Sequence, residues 1–514
     1  MHHALLIHEI LEIILQYFTL QDEDFKERYK YWRLRLYRRT LAYLARTCKA
    51  LSDPALDVLW ARQSSLMPVL KLLPQFQMIG NGYYDIVSPI EPEQWDRFMS
   101  YAARIRIFTF TADGRLLPSV YERVFRKVTR PHVFPSLQRM IWSRDCPLNE
   151  DALLGFVSPS LRIADIQASA FPRTDNHIKW TTGEDSEKRV LDLLFNSLLT
   201  VSMQLQCLKV GVTLTPNIES SIAQFTSIET LDLSTAGSWR NVDTFYALGR
   251  MPNLIELRIN TTNIPFDDST PPSLLFNFLK SLSLTGSPAT IEATLAVVSS
   301  TTLGVLQLAT VHTFCVGEWK TCLSMLPRHI VKSLTEFRLE CVRGLTNLSD
   351  IPTPAIDIVS PMMAATDLRK VSFELEGPLR ASDADITQMI SAWPHLREFH
   401  LWFHRSGDGP TLQSLTSCAA IGQGLEVLKY PMNARNGLAA SAPEKPCPSL
   451  KWLEFMGNTP TVQEEQYNEE VGKLVHRIFP NLQQLDVYSR HYEEDSMWAI
   501  VKRNIPSLRI KTNR

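Results

Sequence analysis

The sequence predicts an α/β solenoid, a curved parallel sheet with helices on its outer side, preceded by a small all-α module. Three observations predict it. An apolar pattern, φ-x-x-φ-x-φ, recurs at near-regular spacing between residues 137 and 487. The segments between copies repeat their apolar residues at three- and four-residue steps, which is helical spacing. The stretch before residue 62 carries helical stripes and no copy of the pattern.

The repeat decides most of the chain. Its copies begin with Leu137/Met140/Trp142, Leu161/Ala164/Ile166 and Leu205/Leu208/Val210. They continue at Ile228, Leu254, Leu279, Leu303, Leu334 and Leu368. Leu396/Phe399/Leu401, Leu425/Leu428/Tyr430, Leu450/Leu453/Phe455 and Leu482/Leu485/Val487 close the series. Many copies follow a proline, as in Pro135-Ser136-Leu137, Pro394-His395-Leu396 and Pro448-Ser449-Leu450. Proline ends a helix and turns the chain toward an extended strand. Thirteen copies, mostly about 23 to 34 residues apart, are the signature of irregular leucine-rich repeats. Helical stripes at Val190/Leu191/Leu194/Leu198, Ile386/Met389/Ile390/Trp393 and Val471/Leu474/Val475/Ile478 supply the outer layer. The solenoid is expected over 93–514, starting with a helix through Trp95, Phe98, Met99 and Ala102 that feeds a strand at Ile105, Ile107 and Phe108. Residues 63–92, with Gly80, Gly82 and Pro89, read as a linker.

Residues 1–62 read as the helical module. Leu6, Ile7, Ile10, Leu11, Ile14, Leu15 and Phe18 share one helix face. Leu41, Leu44, Ala45, Cys48 and Leu51 build a second, and Ser52-Asp53-Pro54 suggests the cap and first turn of a short helix ending at Trp60. So much apolar surface on so few residues implies a partner. The segments Ile7-His8-Glu9-Ile10-Leu11, Leu44 to Leu51 and Asp53-Pro54-Ala55-Leu56 with Leu59-Trp60 resemble an F-box, in the variant found in mushroom-forming fungi. The resemblance implies that Leu6, Ile7, Ile10, Leu11, Ile14, Leu44, Cys48, Leu51 and Trp60 dock the Skp adaptor of a cullin–RING ubiquitin ligase. The rest of the chain would then hold a protein substrate. His8 stands where the family usually has proline, and residues 21–39 form a longer, more charged link than usual.

Composition sets the class. Lys+Arg 53 against Asp+Glu 54, with 45% apolar and 21% charged residues, describes a globular protein with no obligatory nucleic-acid partner. The local basic run Lys26–Arg39 fits a solvated helix with snorkelling side chains, or else a nucleic-acid or membrane patch. No stretch is apolar enough to span a bilayer or act as a signal peptide, so no membrane partner is expected. The eight cysteines form no C-x-x-C pair, so neither zinc nor a disulfide framework is expected. The cytoplasm or nucleus is the expected compartment.

No nucleophile elbow, P-loop or H-E-x-x-H occurs. His400 and His404 fall on a strand, too far apart to share a metal. An enzyme, a cofactor and a metal site are therefore not expected. The strand x positions offer instead a protein-binding face: His400, Trp402, Lys429, Trp452, Glu454, Met456 and Tyr488 are the expected substrate-binding residues, aromatic anchors among charges. Trp402 and Trp452 have a second reading, as side chains packed under the Ala434–Pro448 stretch. The function expected is a non-enzymatic substrate receptor of a ubiquitin ligase; the alternative is a repeat scaffold working outside one.

Overall fold

A computed structural model of the protein describes residues 8–18, 31–80, 82–110, 115–125, 132–142, 150–167, 184–236, 241–262, 264, 266, 275–310, 315–341, 352–405, 409–433, 446–456 and 465–488. The chain divides into two compact units, Met1–Gly237 with Met251–Asn253, and Ser238–Arg250 with Leu254–Arg514. None of the described helices is long and apolar enough to cross a membrane.

The first unit opens with three helices, α1 (His8–Gln16), α2 (Tyr31–Leu44) and α3 (Lys49–Trp60). Leu11 and Leu15 of α1 and Leu41 of α2 are buried, and Phe18 meets Tyr37 edge to face at 5.5 Å. The stripe Leu41–Leu51 therefore spans two helices, broken between Leu44 and Lys49. Nor does α3 start at Ser52. It starts three residues earlier, with Cys48 as a cap residue that makes no side-chain bond, and Pro54 lies inside it. Asp53 does not cap; with Asp57 it binds Arg104, which lies 2.7 Å from the Asp53 carboxylate.

Strand Arg62–Gln63 then pairs in parallel with Ile107–Phe110, followed in order by Arg139–Trp142, Ile163–Gln167, Cys207–Gly211 and Thr230–Leu233. The sheet thus begins at the edge of the stretch read as a linker. That stretch also holds the short helix Met67–Leu70 and an antiparallel hairpin of Phe76–Gly80 with Tyr83–Ile86. In the strand Ile107–Phe110, Phe108 and Phe110 point into the core and Ile107 does not, because alternation permits only every second residue to face inward. Ile105, Phe108 and Phe110 are the first copy of the repeat.

The second unit runs in parallel order from Glu256–Asn260 through Ser281–Thr285, Val305–Thr310 and Glu336–Cys341 to Lys370–Arg380. Glu398–Arg405, Val427–Pro431, Trp452–Met456 and Gln484–Tyr488 complete it. Each of the thirteen copies read from sequence coincides with one of these strands. Every φ side chain described there is at most 3% exposed. The architecture is a leucine-rich-repeat solenoid, strands alternating with outer helices such as Glu184–Val201, Asp383–Ala392 and Glu465–Ile478.

Regular repeats use an asparagine to tie turn to turn. Here hydroxyls share that role with Asn253 and Asn481, which donate to the Thr226 and Pro448 carbonyls. Ser202 Oγ donates to the Ser158 carbonyl at 2.8 Å, Ser300 Oγ to Leu279 at 2.6 Å, and Ser333 Oγ to Leu303 at 2.9 Å. Helices are joined similarly: Thr215 Oγ1 donates to Asp192 at 2.6 Å in the first unit, and Thr411 Oγ1 to Asp383 at 2.7 Å in the second. Buried carbonyls are thereby satisfied without a strict consensus.

Candidate binding groove of the second unit

Strand alternation sends one side chain in two away from the core, and parallel pairing without shift lines these residues into rows. One row runs Glu336, Lys370, Glu398, Val427, Trp452, Gln484. The next runs Arg338, Ser372, His400, Lys429, Glu454, Asp486. A third begins Glu340, Glu374, Trp402. The first row from Glu336 to Trp452 and the second from Arg338 to Lys429, with Glu374, line a groove of about 460 Å³.

Its charges are arranged by strand register. Lys370 Nζ lies between two carboxylates, 3.6 Å from Glu336 and 3.3 Å from Glu398, which raise its pKa. Arg338 bridges Glu374 at 2.8 Å and Glu340 at 3.1 Å. Lys429 binds Glu454 at 2.8 Å, and its ammonium lies 3.6 Å from the centroid of the Trp452 ring. That cation–π contact is partly desolvated, where such pairs contribute up to about 2 kcal/mol.

His400 is the odd member. Burial, then the Lys429 and Arg338 charges, push its pKa down to about 4, so it is neutral near pH 7. Its 3.6 Å approach to Glu374 is accordingly no ion pair. Burial raises the Glu374 pKa despite Arg338. Ser372 Oγ lies 3.2 Å from His400 Nδ1, which invites comparison with a hydrolytic triad. The geometry is wrong for one: hydroxyl and carboxylate face the same ring nitrogen, whereas a relay needs them on opposite nitrogens. His400 Nε2 and Trp452 Nε1 are buried and have no hydrogen-bond partner among the described residues. Such groups are uncommon in folded proteins, and here both belong to side chains lining one groove.

Of the residues expected on this face, His400, Lys429, Trp452 and Glu454 form one cluster. Trp402 is half-buried beside Glu374, past the point where its strand stops pairing with Val427–Pro431. Met456 and Tyr488 pair with each other in the ladder; their side chains lie outside the described residues. Of the Ala434–Pro448 stretch, the alternative cover for the indoles, residues 434–445 are also outside, and Trp452, like Trp402, is half-buried. Glu336, Arg338, Lys370 and Glu374, which the sequence places on this face as x positions but outside the expected substrate-binding set, line the groove as well.

In the helical module, Leu6 and Ile7 lie outside the described residues. Leu11 is 4% exposed, turned into the module itself, while Ile10, Leu44, Cys48 and Leu51 are half-buried. Trp60 packs on Tyr101 at 5.0 Å. Among the described residues of the module, the large apolar side chains left outside are Ile13 and Ile14 on α1, Tyr17 just after it, and Leu36 and Tyr43 on α2. Only Ile14 belongs to the set the resemblance implies.

No protein-family model matches the sequence, and no curated protein does. Among solved structures, the chain is similar to the TLR13–ssRNA13 complex (12% identity, TM-score 0.35, covering 79% of this chain and 57% of that one). It is similar to a leucine-rich-repeat protein of Leptospira interrogans (12%, 0.34, 88% and 95%). It is also similar to the yeast Rad7–Elc1 complex (11%, 0.35, 90% and 96%). The chain spans little more than half of the first of these. The likeness is one of repeat architecture alone, and what each neighbour binds remains a property of that neighbour.

Proposed function

We propose that this chain is a non-enzymatic substrate receptor of a cullin–RING ubiquitin ligase, acting in the cytoplasm or nucleus. In this reading the N-terminal helices dock a Skp-type adaptor and the repeats hold a protein to be ubiquitinated. The observation that carries it is the F-box-like residue pattern on three helices that bury Leu11 and Leu15 yet leave Ile13, Ile14 and Tyr17 outside. An amphipathic helix with a second apolar strip is suited to bind twice, once to its own module and once to a partner. Proximity would do the rest, since tethering a substrate near a charged ubiquitin carrier raises its effective concentration without chemistry on this chain.

Co-expression of the full chain with a Skp-type adaptor tests this. A stable complex is expected, and Ile14→Asp with Tyr17→Asp should abolish it, because a carboxylate buried unpaired at an interface costs several kcal/mol. Leu11→Asp is the poorer variant: Leu11 is buried within the module, so its loss of binding would report unfolding. Wild-type chain that fails to bind, or an Ile14/Tyr17 variant that still does, sinks the ligase reading and leaves a repeat scaffold.

A further inference from the structure

A second surface of the second unit is built by the residues that immediately precede its strands. Arg369, Arg397, Glu426 and Lys451 stand side by side there. The Arg397 N–H donates to the Arg369 carbonyl at 2.8 Å, Glu426 to Arg397 at 2.7 Å, and Lys451 to Glu426 at 2.9 Å. With Pro394, His395, Pro448 and Asn481 they line a depression of about 760 Å³, separate from the groove. Three permanent cations face one carboxylate.

Glu426 shows how this surface takes an anion. Its carboxylate is reached from both sides, by Lys451 at 2.7 Å and Arg397 at 3.7 Å. The Lys451 hydrogen bond, with Arg397 adding to it, holds the Glu426 carboxyl below its ordinary range. One strand over, two cations are direct neighbours and no carboxylate stands beside Arg369 in this row: Arg369 and Arg397 precede adjacent strands, which lie about 5 Å apart. Arg369 makes no side-chain hydrogen bond or ion pair among the described residues. Like charges side by side across strands repel, and a carboxylate between them would reverse the sign of that interaction. Guanidinium pairs suit carboxylates through paired N–H donors.

We propose that this depression is a docking site for an acidic protein segment, an Asp or Glu side chain of which binds between Arg369 and Arg397. A nucleic acid suits it less well. The cationic track is only a few strands long, and Glu426 in its middle would repel a continuous phosphate backbone. The proposal stands whether or not the chain joins a ligase.

The test is fluorescence anisotropy of a labelled peptide of Asp and Glu spaced by Gly and Ser, titrated with the full chain. The control peptide carries Asn and Gln instead. The acidic peptide should bind at least about tenfold tighter than the control and weaken as salt is raised. Arg369→Glu with Arg397→Glu should lower its affinity about tenfold or more. Lys280→Glu, at the same position three strands earlier, should leave it unchanged. All three side chains are exposed, so circular dichroism should show the fold intact. Equal binding of the two peptides, or insensitivity to the double charge reversal, would overturn the proposal. So would a single-stranded RNA or a phosphoserine peptide that binds through the same arginines when the Asp/Glu peptide does not.

Discussion

The N-terminal helices and the repeat strands treat their apolar residues differently. Of the thirteen large apolar side chains exposed among the described residues, eight lie before residue 88: five on or next to α1 and α2, three in or beside the hairpin. The other five are scattered over the rest of the chain. The difference follows from periodicity. A helix has a wide circumference, so one stripe can fill the core while an adjacent one is left over. A strand has two faces and no intermediate. Once its φ residues are buried, its other face is occupied by whatever the x positions supply. Here these are charges that compensate one another across strands.

The sharpest way to break this contrast is to truncate one residue of each kind. Phe399→Ala removes a side chain with no exposed surface and should destabilise the second unit by about 3–5 kcal/mol. Ile14→Ala, 40% exposed, should cost less than about 1 kcal/mol in the free chain. Denaturant unfolding followed by tryptophan fluorescence and circular dichroism separates them. Similar losses would mean that the α1 strip is part of the core.

Acid should act on the strand face through His400. Its folded-state pKa of about 4 lies below the ordinary 6.5, so the unfolded chain binds the extra proton first. Stability is therefore fully present above about pH 6.5 and lost as pH falls toward 4, by on the order of 2 kcal/mol. Glu374, raised by burial, works in the opposite direction at the acid end. His400→Gln should flatten this part of the profile of unfolding midpoint against pH; an unchanged slope would refute the assignment.

If this strand face holds a partner, Trp402→Ala with Trp452→Ala should weaken capture of an identified substrate by about 2 kcal/mol, roughly thirtyfold, while adaptor binding persists. Normal capture by the double variant would move the site elsewhere. The smallest effect belongs to the half-exposed Lys370. Replacing it with alanine should change stability by less than about 1 kcal/mol, because screened pairs contribute little. A larger loss would show that the rows hold the strands together.

The repeats were the most legible part. Leu396, Phe399 and Leu401 announced both a strand and its inward face, and Glu398, His400 and Trp402 its outward one. The module was less so. Ser52-Asp53-Pro54 carries every local sign of a helix start, yet α3 begins at Lys49, and Asp53 and Asp57 bind Arg104, some fifty residues on. Leu11 and Ile14 sit on one apolar stripe in sequence. Which of them faces the module's own core depends on where α2 and α3 pack.

The sequence by itself determined the period, the parallel strands it implies and the identity of nearly every buried strand residue. These rest on local spacing, and spacing is written residue by residue. Tertiary structure alone decided which charges meet. Lys370 finds Glu336 and Glu398, and Lys429 finds Trp452 and Glu454, because the register between strands about 30 residues apart places them within a few ångströms. Electrostatic partnership falls off with distance in space, and distance along the chain says nothing about it.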